Sequence, residues 1–539
     1  MPPHKNHRRT AKWLLLLCLL GVITCGSLAS MRLWGLFLNS LWLTFGTLAV
    51  SLPVGTFLAV AITKTSILGR HAIKGLMVTL LLVPLFVQAT AWQAALGQTG
   101  WLYPGTNHDF ALSGWYGAIW IHGMGAIAWV VLCVGAALQN VPRELEEETL
   151  QDSNAWRVLW YVSLRRALAG VAVAGLWIGV ICFGEITVTD LFQVRTFAEE
   201  IYTTANLGFF IAPNALPTES TLLMAHDLWI GTALLVLLVL AALVLVGCWI
   251  PWHSMNSASN DWTLPLRRSR WALTIVAWLL TTVIVGVPLL SLLGKAGFQS
   301  ERVDQRVESS WSAKKAVTLI ARSPWEHRRE GRWSFTIGGL AAVSATIVGV
   351  FIAWGLRTHT LPPLPTTFFL ALSFAIPGPL LGIWVIRLLN QPDGSIFGFL
   401  NWWYDHTIIA PVFVQFLRGL PLTTIVLIAQ FASIPQDVLD SARSEGAHSK
   451  RLLWSIVLPQ SWPALLAAAC MALMIAIGDM AATLLVLPPG VSTLSTRIFG
   501  LLHYGAEDRV SALCFALALG LGLWAIMTWR LLRNFKTRA

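Results

Sequence analysis

Apolar and polar residues along this chain fall into long blocks, not short periods. Strongly apolar runs lie at about residues 13–30, 37–62, 75–92, 115–138, 167–184, 226–250, 271–293, 334–356, 366–388, 407–431, 463–486 and 510–532, with polar connections between them. Each is close to the ~20 residues an α-helix needs to cross the hydrocarbon of a bilayer. Backbone groups find no water there, so each run is expected to satisfy its own N–H and C=O groups as a helix. The two-residue alternation of barrel strands is absent. The pattern predicts an all-α membrane protein with about 12 transmembrane helices.

The blocks repeat weakly at an offset near 294. Gly55 and Ala59 match Gly349 and Ala353. Arg157, Leu159 and Trp160 match Arg451, Leu453 and Trp454. Gly184-Glu185 matches Gly478-Asp479, and Thr189 matches Thr483. Equal helix counts insert the two halves in the same orientation, which predicts two parallel six-helix repeats about an axis along the membrane normal. The boundary is placed in the basic connection 251–270, with Pro251 and Pro265, giving a first half 1–260 and a second half 261–539. Parallel halves are expected to carry a pathway at their interface.

Composition agrees with this reading. Of 539 residues, 56% are hydrophobic and 12% charged, which suits a multi-pass protein and no soluble core of that size. The net charge of +11 would point to nucleic acid in a soluble chain. Here the bases collect in connections: Lys5, Arg8, Arg9 and Lys12; Lys64, Arg70 and Lys74; Arg267, Arg268 and Arg270; Arg530, Arg533, Lys536 and Arg538. With alternating helices these share one side, predicting cytoplasmic termini and no nucleic-acid partner. The connection 294–333 runs against the rule, being external by count yet rich in bases, among them Lys295, Lys315, Arg328 and Arg329. The seven cysteines lie in apolar runs without metal spacing and are read as packing residues. The first run fits either a retained helix or a secretory signal, and retention is favoured.

Each half has a polar connection between its fourth and fifth helices, at 139–166 and 432–462. In the second, Asp440, Ser441 and Ala442 open a short helix, Gly446 breaks it, a second short helix follows over Lys450–Ser455, and Ile456, Leu458 and Pro459 lead to the next span. Such a helix–turn–helix suits a groove on a soluble partner. The first copy is one residue shorter. It reads Glu147, Asp152, Ser153 in the glycine's place, Leu164, and Arg165 in the proline's place.

This spacing resembles the EAA loop of binding-protein-dependent ABC importer permeases with the MetI-like type I fold. The resemblance implies that both loops dock on separate ABC ATPase subunits, two copies, which hold ATP and Mg, while a periplasmic or surface binding protein delivers solute. No G-x-x-x-x-G-K-[ST] phosphate cradle and no catalytic constellation occurs in the chain. No cofactor or metal is therefore expected on it, and no enzymatic activity of its own. It is expected in the bacterial inner membrane, in contact with lipid. After the fifth and eleventh spans, Glu185 with Thr189 and Asp479 with Thr483 are candidates for the solute pathway, because an acid at membrane depth costs about 2.5–3.5 kcal/mol unless it faces a bundle interior or water. A hydrated structural role at the outer interface is the equal alternative. The stretch Gly478–Leu494, with Pro488-Pro489-Gly490 and Thr493, resembles the fused permeases of the ferric-iron importer group, implying ferric iron as cargo, with thiamine or aminoethylphosphonate as alternatives. A secondary transporter of the major facilitator type would share the helix count but leaves the loops unexplained.

Overall fold

The computed structural model describes the backbone of residues 4–97, 100–102, 112–206, 219–249, 262–265, 269–303, 306–391, 396–504 and 507–536. The linker residues 250–261, with Pro251, and Arg267 and Arg268 lie outside the described residues, as do the side chains of Lys5, Arg8, Arg9, Lys12, Arg530, Arg533, Lys536 and Arg538.

The first half contains α1 (His4–Leu28), α2 (Met31–Lys64), α3 (Arg70–Leu82), α4 (Leu85–Leu96), α5 (Gly114–Gln139), α6 (Arg143–Asp152), α7 (Ala155–Val158), α8 (Arg165–Gly184), α9 (Thr187–Leu191), α10 (Phe197–Asn206) and α11 (Glu219–Trp249). The second contains α12 (Arg270–Thr281), α13 (Val287–Gly297), a hairpin of β1 (Phe298–Val303) and β2 (Arg306–Trp311), α14 (Ala313–Glu326), α15 (Arg328–Arg357), α16 (Pro363–Ala375), α17 (Gly378–Leu389), α18 (Phe399–His406), α19 (Ile409–Ser433), α20 (Gln436–Ser444), α21 (Ser449–Leu452), α22 (Leu458–Gly478), α23 (Leu494–His503) and α24 (Glu507–Lys536).

Nine helices among the described residues are long and apolar enough to cross a membrane, and eleven spans result if each of two bent pairs counts as one. The remaining run, the first, keeps a shorter apolar helical stretch, Leu15–Leu28. The bent pairs correct the expectation of single helices at 75–92 and 366–388. Here α3/α4 and α16/α17 each turn through 106°. The cause is local. Pro84 and Pro377 start the second helix of each pair, and the residues before them, Val83 and Ile376, are extended, as the ring of a following proline demands.

By contacts the chain forms two compact units that do not follow the sequence halves. The first holds residues 1–200, 222–328 and 497–531; the second holds 201–221, 329–496 and 532–539. Within the first unit, α2, α5 and α8 pack closely around Leu43, Leu58, Ile127, Val130 and Ile178. Close approach there needs small residues: a Cβ on Gly55 would meet Val130 at 2.5 Å, and one on Gly170 would meet Ala137 at 2.5 Å. Within the second unit, α19 and α22 form the main pair, with α15 beside them through Ala345 and Gly349.

The basic connection 294–333 has partners. Lys295 pairs with Glu507 at 2.5 Å and Lys315 with Asp508 at 2.8 Å, so the first turn of α24 takes up two of its charges. Arg328 lies over the Trp325 ring at 4.5 Å. In the other unit Arg329 donates to the Gly490 carbonyl at 2.9 Å.

Candidate functional site: two coupling loops and two acid-capped breaks

In the second loop, Pro435 precedes α20, whose single buried residue is Leu439. Leu439 enters an apolar cluster with Phe431, Ile434, Leu452, Leu453 and Val457, against which Ala442, Ile456 and Leu458 also pack. Asp440 and Ser441 face outward. The Asp440 carboxylate accepts from Arg443 Nη1 at 2.8 Å and Gln436 Nε2 at 3.2 Å. The helix then closes in a Schellman motif: Gly446 N–H donates to the Arg443 carbonyl at 2.9 Å, and Ala447 N–H to that of Ala442 at 3.0 Å. That geometry requires a left-handed residue, and Gly446 has φ +87°.

Beyond Gly446 the structure differs from the expected separate short helix over Lys450–Ser455, with Pro459 opening the next span. From Ser449 the chain runs as one 30-residue helix to Gly478, passing through a π turn at Leu453–Val457. Pro459 sits in the first turn of α22. The wider turn just before it has already left the α register, so the missing proline N–H costs little there. The first half repeats this design with both ends displaced by 294 residues: one 30-residue helix, Ala155–Gly184, with a π turn at Leu159–Leu164. There Arg165 stands in the proline's place, so the proline does not create the π turn.

The first loop turns differently. Glu147 on α6 accepts from Arg143 Nε at 2.7 Å, and Asp152, which is exposed, ends the helix. Ser153 is extended, with φ −148° and ψ 172°. Asn154 then caps α7, its Oδ1 accepting from Arg157 N–H at 2.9 Å. No residue here needs a left-handed backbone, so Ser153 loses nothing by not being glycine. Leu164 is half-buried at the end of the π turn. The buried residue of α6 is Glu146.

Glu185 and Asp479 occupy the same place in the two halves, directly after the long helix ends. Both cap the next turn of backbone. Glu185 accepts from Thr187 N–H at 2.6 Å and Val188 N–H at 3.0 Å, and Asp479 from Ala482 N–H at 3.2 Å. The buried hydroxyls of Thr189 and Thr483 donate back to Ile186 and Asp479 carbonyls at 3.1 and 2.8 Å. Each acid also meets a base that sequence reasoning passed over. His122 Nε2 on α5 is 3.3 Å from Glu185, and Arg418 Nε on α19 donates to Asp479 at 3.0 Å. Arg418 also reaches the Ile376 carbonyl at the α16/α17 bend, at 3.4 Å. One guanidinium thus serves both irregular backbone sites of that unit, where unsatisfied carbonyls would be costly in lipid. The available signal was that His122 and Arg418 are isolated polar residues inside apolar runs. Both acids are thus paired and cap backbone turns.

In the first unit a cavity of about 470 Å³ lies between α4, α9, α13 and the start of α24, lined among others by Gln93, Ser113, Gln193, Lys295, Glu507 and Ser511.

Comparison with known proteins places this geometry. Residues 339–534 match the family described as "Binding-protein-dependent transport system inner membrane component". The molybdenum transport system permease protein of Haemophilus influenzae is 30% identical over 185 residues, which is 33% of this chain and 79% of that protein. The chain belongs to the inner-membrane components of binding-protein-dependent transport systems. A putative 2-aminoethylphosphonate transport system permease protein of Salmonella typhimurium is 27% identical over 253 residues, 46% of this chain and 90% of that protein. A putrescine transport system permease protein of Escherichia coli is 22% identical over 279 residues, 50% of this chain and 93% of that protein. The family match contains the whole second loop, Gly446 and Asp479, so these stand in a permease of the inner membrane, working with a binding protein and an ATPase.

Proposed function

We propose that this permease is the membrane subunit of an ATP-driven importer, in which α6 and α20 each dock on one of two separate ATPase subunits that hold ATP and Mg, the chain itself catalysing nothing. The reading is carried by one observation: an exposed loop helix, fixed by a sharp turn, leads through a π turn into a single 30-residue helix, and the plan occurs twice, 294 residues apart. A push on the loop then reaches Glu185 or Asp479 along a continuous rod. Asp440, Ser441 and Ala442 with Gly446 form the second docking face, and Glu147 with Asp152 the first. Both termini lie on the ATPase side. Binding of loaded binding protein and of nucleotide shifts the balance of two membrane states.

Ferric iron is the cargo we put first, on the resemblance of the Gly478–Leu494 stretch to iron permeases. 2-Aminoethylphosphonate is second, supported by the cargo named for the Salmonella relative. Proteoliposomes holding the permease and its ATPase, supplied with binding protein, test both. Uptake of one labelled solute that stops without ATP is expected. Uptake driven by an ion gradient in the absence of the ATPase would overturn the reading.

A further inference from the structure

The ion pair between Lys64 and Glu146 is the one pair among the described residues whose side chains are both fully buried, each at 0% exposure. Lys64 Nζ donates to Glu146 Oε2 at 2.7 Å, and Ser163 Oγ donates to Glu146 Oε1 at 2.6 Å. Three elements meet at this carboxylate. Lys64 is the last residue of α2, Glu146 is the buried residue of the loop helix α6, and Ser163 lies in the π turn that opens the 30-residue helix. A fourth segment closes over them. The Lys64 carbonyl accepts from Leu264 N–H at 2.8 Å, and Leu264 is buried against Val158 and Leu159.

The second repeat has no buried carboxylate at this place; there Arg357 at the end of α15 donates to the Ile434 carbonyl at 2.7 Å and to Gln436 Oε1 at 3.4 Å, at the start of α20. Offsets of 294 carry Lys64 to Thr358 and Ser163 to Val457, and the 293 that carries Pro142 to Pro435 at the helix starts carries Glu146 to Leu439. Leu439 and Val457 are buried in one apolar cluster, and the Thr358 hydroxyl donates to its own helix at Trp354, 2.9 Å away. Apolar contact is non-directional, so beyond the Arg357 anchor the second loop helix is seated without a buried charge. A carboxylate fixed from two sides cannot roll without stranding a buried charge, while the pair itself is weak evidence for added stability.

We infer that Glu146 is a positioning residue: with Lys64 and Ser163 it locks the first loop helix to α2 and to the following rod, so that the first loop transmits ATPase motion as a rigid arm. The inference rests on the importer reading above. Its test is the triple substitution K64T/E146L/S163V, which gives the first loop the residues of the second. The purified variant is compared with wild type for thermal unfolding, ATPase co-purification, and solute imported per ATP hydrolysed in proteoliposomes. The expected result is wild-type unfolding and co-purification with import per ATP lowered at least about fivefold, the lower end of ordinary coupling free energies. Unchanged import per ATP would overturn the lock. Loss of co-purification in a folded variant would equally overturn it, by placing the triad in docking. If the triple variant fails to fold, S163A, which keeps the ion pair, decides the matter. It should lower import per ATP about twofold or more, as loss of one hydrogen bond at the low end of its ordinary range implies, and an unchanged value would again overturn the lock. Failure of the importer reading itself is distinguishable, because wild type would then show no ATP-dependent import.

Discussion

Gly446 offers the most direct test of the second loop, because the structure separates backbone from packing there. A Cβ added at Gly446 meets nothing within 4 Å. A bulky residue is therefore not excluded by space inside this chain, and any effect on the loop comes from φ +87°. For an L-residue the left-handed conformation costs about 1–2 kcal/mol. Asn tolerates it better than Ala, and a β-branched residue worst of all. The expected order for keeping the Schellman turn is therefore Gly, Asn, Ala, Val. A strain of about 1.4 kcal/mol is a factor of about ten in the population of the closed turn, so Gly446→Ala should weaken ATPase binding several-fold and Gly446→Val more. Titration of the detergent-solubilised permease with its ATPase reads the affinity. The first loop supplies the control: Ser153 has φ −148°, so Ser153→Ala and Ser153→Gly should leave the affinity within about twofold, as expected where no special backbone is required. Equal affinities for Asn, Ala and Val at 446 would refute the backbone argument. Equal sensitivity at 153 and 446 would refute the difference between the loops.

Other outcomes follow from the capped breaks and the basic connection 294–333. Arg418→Met strands the Asp479 carboxylate, which is 7% exposed, and should destabilise the fold by about 3–5 kcal/mol; thermal unfolding should show R418M/D479N recovering much of the loss. Glu185→Gln keeps shape but weakens two N–H caps and the contact to His122, so a loss of about 1–2 kcal/mol is expected, seen as faster proteolysis after Gly184. Lys295→Ala and Lys315→Ala each remove a partly exposed ion pair on α24 and should change unfolding by less than about 1 kcal/mol. A larger loss in either would mean that this connection is held more tightly than its exposure implies.

The sequence alone determined what depends on composition and short spacing. Apolar run length located the spans, since the bilayer fixes how many residues a helix must bury. The 294-residue offset located the repeat, and Gly446 could be singled out because a helix-stopping glycine is a local property. The bends at Pro84 and Pro377 are local too, since each proline forces the residue before it out of the helix although the apolar run continues past it. Only tertiary structure decided the pairings. Glu146 stands in a run of glutamates that reads as a solvated helix, and its burial follows from Lys64, 82 residues away. Asp479 finds Arg418 across 61 residues, and Lys315 finds Asp508 across the length of the second half. A charge is tolerated in a buried place only when another group arrives to neutralise it. That arrival is set by how helices pack, about which the order of residues near either partner says nothing.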